Sequence, residues 1–316
     1  MSAVEYGSAS DAVLLEGVAL QCPCCRTDIV GLDCVFCGFR MQNSNGVVHA
    51  LRQERSEYYA RFMQDYERIR EAEGRGSQNE EFYLGLPFKD VTGRNSQQWN
   101  IRARSYDYLI TQVLKPLGNH GAVLDLGAGN CWMSFRLALA GYRPVAVDLL
   151  TNEQDGLAAA GHYQKHLPRP LPRFQAEMTR LPFQGEQFDA VIFNASLHYS
   201  EDYEASLREA LRCLKTGGML IISDTPWYSR EESGGQMVAE RHAAFLRRYG
   251  TASDSVRSLE FLTDERLRAL EERLSIKWVV YFPRYGLKWA LRPILAKLRH
   301  RREPSRFRIY TARKDG

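Results

Sequence analysis

Long apolar runs are missing from this 316-residue chain: no stretch of 18 apolar residues occurs, which excludes a simple membrane-spanning helix. It also lacks the charged-then-apolar leader of a secreted protein, so a soluble, cytoplasmic protein is expected. No bias in composition marks it as disordered, since 44% of residues are hydrophobic and 25% charged. Cysteine is nearly absent outside one place, five of the seven falling between positions 22 and 37. In a reducing compartment, that clustering argues against disulfides and for a metal.

What is present divides unevenly. The length suits one large core plus a small extra unit. The formal charge of +4 hides a contrast, because positions 284–316 hold eleven Lys or Arg against Glu303 and Asp315. Everything before that tail is therefore net acidic. Near the other end, Cys22-Pro-Cys-Cys25 and Cys34-Val-Phe-Cys37 form two CxxC knuckles separated by a hairpin-length segment. Four thiolates so spaced fit one tetrahedral structural Zn²⁺, with Cys24 as the spare. A unit of this size buries too little surface to fold alone, so ligation would supply much of its stability.

The chain is organised around positions 122–148, AVLDLGAGNCWMSFRLALAGYRPVAVD. A short apolar strand runs into a Gly-Ala-Gly turn, then a helix-spaced segment, then a second strand ending on Asp148. A strand, crossover helix and second strand closing on an acid about 20 residues past the glycines bind a nucleoside at the carboxyl ends of parallel strands. Gly127 and Gly129 permit a sharp turn and close approach of a ligand. The turn has Trp132 where a dinucleotide fingerprint has its last glycine, and it has no basic residue. Pyrophosphate is therefore disfavoured, whereas Asp125 suits a ligand carrying a sulfonium or ammonium charge.

VLDLGAGN followed by VAVD resembles the first two motifs of the class I S-adenosylmethionine-dependent methyltransferases. LPFQGEQFDAVIFNASLHY (181–199) is similar to the strand-four region of the subgroup that includes the ubiquinone and menaquinone methyltransferases. LKTGGMLIISD (214–224) resembles that family's fifth strand and its preceding turn. The resemblance implies an α/β, doubly wound Rossmann-like sheet that binds S-adenosyl-L-methionine. Carried onto this sequence, it implies cofactor contacts from Asp125, Gly127, Ala128, Gly129, Asp148 with Leu149, Glu177 with Met178, and Asn194. In related enzymes an arginine or aromatic before the first strand meets the methionine carboxylate; Arg102 is the corresponding residue here.

His198 and Tyr199 follow the fourth strand and are the candidates for chemistry. A base is needed only when the acceptor must lose a proton, and His198 has a suitable ordinary pKa. The expected reaction is in-line methyl transfer to a small-molecule or lipid-like acceptor. An RNA methyltransferase of ribosomal type, using the ribbon and basic tail, is the first alternative; a non-catalytic cofactor-binding partner is the second. Against RNA, NASLHY lacks the NPPY-type sequence common in enzymes acting on exocyclic base amines, and the ribbon has only Arg26 and Arg40 as basic residues. The ribbon reads as a structural cap or an interaction knuckle ahead of an RNA contact.

The expected organisation is a tail and zinc ribbon at 1–50, a helical lid or linker at 51–118, and the methyltransferase unit at 119–316. The last contains a lid insertion at 225–260 and a basic amphipathic insertion at 284–304. Helices are expected over 54–74, with Tyr58, Phe62, Tyr66 and Ile69 on one face, and over 96–114. A crossover helix is expected over 151–167, and Trp227, Tyr228 and Phe245 are expected to line an aromatic acceptor pocket. In 284–304, Leu287, Trp289, Leu291, Ile294 and Leu295 alternate with Lys and Arg around Pro293, read as a kink. That segment reads as a helix packed on its own unit, a membrane-surface contact or an RNA-phosphate patch. Oligomeric state is left open.

Overall fold

The computed structural model describes residues 17–77, 79–118 and 120–315; the expected tail at 1–16 lies outside them. A two-stranded hairpin, β1 (Leu20–Gln21) with β2 (Asp28–Ile29), opens the chain. β3 (Gln42–Ser44) and β4 (Val47–His49) form a second hairpin, followed by helix α1 (Gln53–Ala72), α2 (Glu80–Gly85) and α3 (Ser96–Tyr108). Then come β5 (Ala122–Leu126), α4 (Trp132–Leu139), β6 (Arg143–Asp148), β7 (Arg173–Gln175), β8 (Phe188–Asn194), α5 (Tyr203–Cys213) and β9 (Leu214–Ser223). α6 (Glu231–Tyr249), α7 (Asp264–Leu274), β10 (Val279–Tyr281), α8 (Leu287–Ala290), α9 (Arg292–Leu298) and β11 (Ile309–Arg313) complete it.

Nine strands make one mixed sheet in the order β10-β11-β9-β8-β5-β6-β7-β4-β3. From β9 through β4 the pairs are parallel, and their apolar residues are buried on both faces, as a sheet sandwiched by helices requires. β5 sits at the switch point: the chain leaves it for β6 on one side and returns to it through β8 on the other. The crevice outside its carboxyl end is where such sheets bind ligands. The doubly wound architecture expected from sequence is thus present, with the β3–β4 hairpin added at one edge.

Several local expectations change. α3 ends at Tyr108 and continues as a π-helical turn over Leu109–Val113, where the Thr111 hydroxyl donates to the Asp107 carbonyl. The 151–167 segment is a turn followed by a 3₁₀ helix (Leu157–His166), because the Asn152 side chain accepts from the backbone N–H of Gln154, Asp155 and Gly156 and holds them out of a helix. On α1 the inward residues are Tyr59, Phe62 and Ile69, whereas Tyr58 faces outward and donates to Glu201. Pro293 starts α9 in its first turn instead of kinking one helix, as its missing N–H permits.

The cysteine hairpin is docked on the large unit, not tethered to it. Arg26 makes a two-pronged ion pair with the buried Glu209, at 2.6 and 3.0 Å, and Arg180 donates to the carbonyls of Pro23 and Cys24, both at 2.6 Å. Leu20, Cys22, Ile29, Cys34 and Met41 join the same apolar core as β5, β6 and β8.

Candidate functional site

The glycine turn is built by steric need. Gly127 has φ +77°, and a Cβ there would lie 2.2 Å from Ser196 Cβ and 3.1 Å from Met178 Cε. The backbone N–H groups of Gly127 and Ala128 both donate to the Val147 carbonyl, at 2.8 and 3.0 Å. Gly129 N–H donates to Asp148 Oδ2 at 2.7 Å, and Leu150 N–H to Asp148 Oδ1 at 2.8 Å. The turn and the tip of β6 are therefore one bonded unit. Gly127→Ala combines a left-handed backbone with an overpacked contact, so it is expected to destabilise the fold by about 2–5 kcal/mol, read by urea denaturation.

The sheet order fixes the order of side chains along the rim. Asp224 follows β9, Asn194 ends β8, Asp125 and Gly127 end β5, Asp148 ends β6 and Glu177 follows β7. With neighbouring strands about 4.8 Å apart, these five positions spread over roughly 19 Å. They line a single cavity of about 560 Å³. Every residue expected from sequence to serve cofactor or chemistry lies on it, Arg102, Leu149, Met178, His198 and Tyr199 included.

Its electrostatics are those of a site with bonds to spare. Asp125 is fully buried, accepts from the Ser134 hydroxyl at 2.7 Å, and leaves Oδ1 without a partner; burial pushes its pKa up to about 7. Burial likewise raises Asp148 to about 6, against the two backbone N–H groups that favour its charged form. Asn194 Oδ1, His198 Nδ1 and Asp224 Oδ2 are buried and unpartnered. Burial pushes His198 down to about 4, so its imidazole is neutral in the unliganded protein. The Arg102 guanidinium lies 5.4 Å from the Trp99 ring and its pKa is pulled down by burial, with the Asp224 charge acting in the opposite direction.

Helix α1 forms the cover. Arg55, Tyr59, Phe62, Tyr66 and Arg70 recur at three- and four-residue spacing and all face the cavity. Arg55 Nε donates to Glu177 Oε2 at 2.8 Å, while Oε1 of the same carboxylate has only Arg52, at 3.9 Å. Arg70 pairs with Asp155 and so ties the far end of α1 to the turn after β6. Phe62, Tyr66 and Tyr199 pack as an aromatic group with centroids 5.5–6.3 Å apart. This group, with Tyr59, Trp99, Trp132 and Phe307, is the aromatic lining. Trp227, Tyr228 and Phe245 are not part of it: Trp227 and Tyr228, which follow β9, are buried and bonded to Leu262, Asp264 and Arg306, and Phe245 packs on Tyr249.

Reading the sequence also missed Asp224 as a site residue. It has φ +53°, a conformation that non-glycine residues rarely hold, and accepts from the Ser105 hydroxyl at 2.5 Å. Ser105 is in turn 2.9 Å from the Tyr285 hydroxyl. Burial raises the Asp224 pKa to about 6. The signal was available, as the acid ends a strand-five motif at the same rim, but its partners are 119 residues before it and 61 after.

At the hairpin, the sulfurs of Cys22, Cys25, Cys34 and Cys37 all lie within 4.8 Å of one another. Cys22 and Cys37 Sγ are 3.6 Å apart, and Cys25 and Cys34 Sγ 3.5 Å. Cys24 is exposed and outside the group.

Residues 124–222 match the family model of a methyltransferase domain. The demethylmenaquinone methyltransferase of Mycobacterium marinum is 35% identical over 108 residues, which are 34% of this chain and 43% of that one. The chain carries a class I methyltransferase domain. The demethylmenaquinone methyltransferase of Mycolicibacterium gilvum is 36% identical to it over 102 residues, 32% of this chain and 41% of that one. The chain thus spans less than half the length of the curated relatives it matches. The solved 1,6-didemethyltoxoflavin-N1-methyltransferase of Burkholderia thailandensis is 19% identical, with a TM-score of 0.47 over 75% of this chain and 86% of that one. Among the described residues no helix is long and apolar enough to cross a membrane.

Proposed function

We propose that this protein transfers a methyl group from S-adenosyl-L-methionine to a small, apolar, quinone-like acceptor. One observation carries the reading: a single cavity joins the polar rim of β5, β6 and β7 to an aromatic wall from α1, Trp99, Tyr199 and Phe307. The residues fit the donor. Asp148 would take the ribose hydroxyls, since each of its oxygens keeps a lone pair beyond its one backbone N–H bond. Glu177 Oε1 would take the adenine amino group, with Leu149 and Met178 beside the ring. The Gly127–Ala128–Gly129 backbone admits the donor closely, Arg102 would meet its carboxylate, and Asp125 and Asn194 offer unpartnered oxygens to its positive end.

The bound donor supplies an electrophilic methyl on a sulfonium. The protein's own share is alignment and exclusion of water, through α1 closing over the rim. Where the acceptor is a phenol or quinol, its O–H must lose a proton. His198 and Tyr199 stay on the acceptor wall, but a histidine held near 4 accepts protons weakly. Asp224, near 6 and with a free Oδ2, is the better acceptor, and we place the proton there, with Ser105 and Tyr285 holding the carboxylate in position. Because the ionised form accepts, turnover rises with pH through about 6. Asp224→Asn is expected to lower kcat about 100-fold and to remove that limb in a pH–rate profile.

That the relatives are demethylmenaquinone methyltransferases favours this reading over RNA methylation or a non-catalytic partner. The four-cysteine cluster would hold a structural Zn²⁺: a tetrahedral site with Zn–S near 2.3 Å sets sulfurs roughly 3.8 Å apart, close to the 3.6 Å of Cys22–Cys37 and the 3.5 Å of Cys25–Cys34. Incubation with methyl-labelled S-adenosyl-L-methionine and a panel of demethylated naphthoquinols, small amines and structured RNA tests the acceptor class. Label in the quinols supports the proposal; label in RNA alone overturns it.

A further inference from the structure

The last insertion meets the rest of the fold through Tyr285 and Trp289 and leaves its leucines uncovered. Leu287, Leu291, Ile294, Leu295 and Leu298 are 83, 48, 57, 44 and 71% exposed, and neither α8 nor α9 has a buried residue. A helix packed on its own unit through these leucines would bury them, and here they are exposed. An exposed apolar face this concentrated marks a contact surface. The nearby Arg302, Arg306 and Arg308 are paired with Glu240, Glu303 and Asp264. Among the described residues, Arg104, Lys288, Arg292, Lys297, Arg299 and Arg301 make no ion pair at all.

Three of these cations converge. α3, α8 and α9 enclose a second cavity, of about 610 Å³, whose lining includes Gln97, Asn100, Arg104, Lys288, Trp289 and Arg292 and no carboxylate. Arg292 lies over the Trp289 ring at 3.9 Å, and Arg104 donates to the Arg284 carbonyl at 3.2 Å, so both guanidinium groups are held in place. Three cations with side-chain amides and no acid form a site for a phosphate, which guanidinium groups bind bidentately. Side-chain contacts link its wall to that of the first cavity. Trp289 stacks on Phe307 at 5.3 Å, and Phe307 lines the methyl-transfer cavity. Tyr285, on the wall of the second cavity, reaches Asp224 through Ser105.

We propose that α8 and α9 dock the protein on an anionic phospholipid bilayer, with Arg104, Lys288 and Arg292 holding a headgroup phosphate and the exposed leucines entering the interface. Charge complementarity selects this occupant: unpaired cations flank the apolar face on both helices, the arrangement of an interfacial amphipathic segment. The inference is independent of which acceptor is methylated, though docking here would set the Phe307 end of the cavity toward the source of a lipid-soluble acceptor.

Vesicle co-sedimentation of the full chain tests it, comparing phosphatidylcholine vesicles with vesicles containing phosphatidylglycerol at about 0.1 M salt. The expected result is binding to the anionic vesicles only, weakening as salt rises. Lys288→Glu/Arg292→Glu and Leu291→Asp/Leu295→Asp should each weaken it at least tenfold. Both variants change surface residues, and unchanged affinity for S-adenosyl-L-methionine shows that they fold and that the transfer site stands apart. Equal binding to phosphatidylcholine vesicles, whose headgroup phosphate is balanced by choline, overturns the assignment to an anionic bilayer. Saturable binding of inorganic phosphate without vesicle binding assigns the site to a free anion and overturns the docking. Retention by RNA with no vesicle binding overturns it in favour of a nucleic acid.

Discussion

Asp148→Ala is expected to weaken binding of S-adenosyl-L-methionine about 100-fold. The carboxylate has two tasks at once. It would accept two hydroxyl hydrogen bonds from the ribose, each a charge-assisted bond of about 1.5–3 kcal/mol. It also holds the glycine turn to β6 through Gly129 N–H and the following loop through Leu150 N–H. Alanine removes both, so part of the loss comes from a turn that no longer presents its backbone. Asp148→Asn separates the two: one oxygen remains to accept from Gly129 or Leu150, but the charge and the second acceptor go. It should fall between wild type and alanine in calorimetric titration. Equal affinity in all three would place the ribose elsewhere on the rim.

The second large effect is at the hairpin. The purified protein is expected to hold about one zinc per chain, to lose it in Cys34→Ser and to retain it in Cys24→Ser. Cys34 is buried and belongs to the core that includes Leu20 and Met41, whereas Cys24 is exposed and outside the sulfur group. Removal of the metal leaves four thiols repelling on ionisation, in a segment held otherwise by two very short hairpins. Because the hairpin is clamped by Arg26–Glu209 and Arg180, its loss also exposes the surface around Leu181 and Phe183. Chelation should therefore lower the thermal midpoint of the whole chain, not melt a separate transition. Metal analysis together with a melting curve in chelator reads both; a zinc-free protein with an unchanged midpoint would contradict the assignment.

What was legible in the sequence follows from how local each signal is. The βαβ unit is encoded within 27 residues, and its strands, turn and acid all occupy the positions their spacing implies. The cysteine cluster is equally local. Helix phase was less secure: Tyr58 and Tyr59 are both compatible with the α1 stripe, and only the position of Glu177 and Glu201 decides that one points in and the other out. The aromatic wall was assigned to the lid insertion because that segment is long and carries Trp and Tyr. In the structure Trp227 bridges to Leu262 and Arg306 and Phe245 packs on Tyr249, and α1 supplies much of the wall. Asp224 stayed hidden because Ser105 and Tyr285 reach it from separate elements. The basic insertion was visible as a pattern, but its exposure depends on what the rest of the fold leaves uncovered.

Titration of the wild-type protein with S-adenosyl-L-methionine and with S-adenosylhomocysteine, over about pH 5.5 to 8, tests the central claim most directly. Asp148 and Asp125, held up to about 6 and about 7 by burial, must ionise beside a positive ligand. A cation favours the ionised forms, so binding releases protons when they are still protonated, and affinity rises with pH until both are charged. The account predicts single-site binding of both ligands, with the affinity of the sulfonium form rising more steeply through pH 6–7 than that of the neutral thioether. Absence of binding, or affinities that do not change with pH for either ligand, would contradict it.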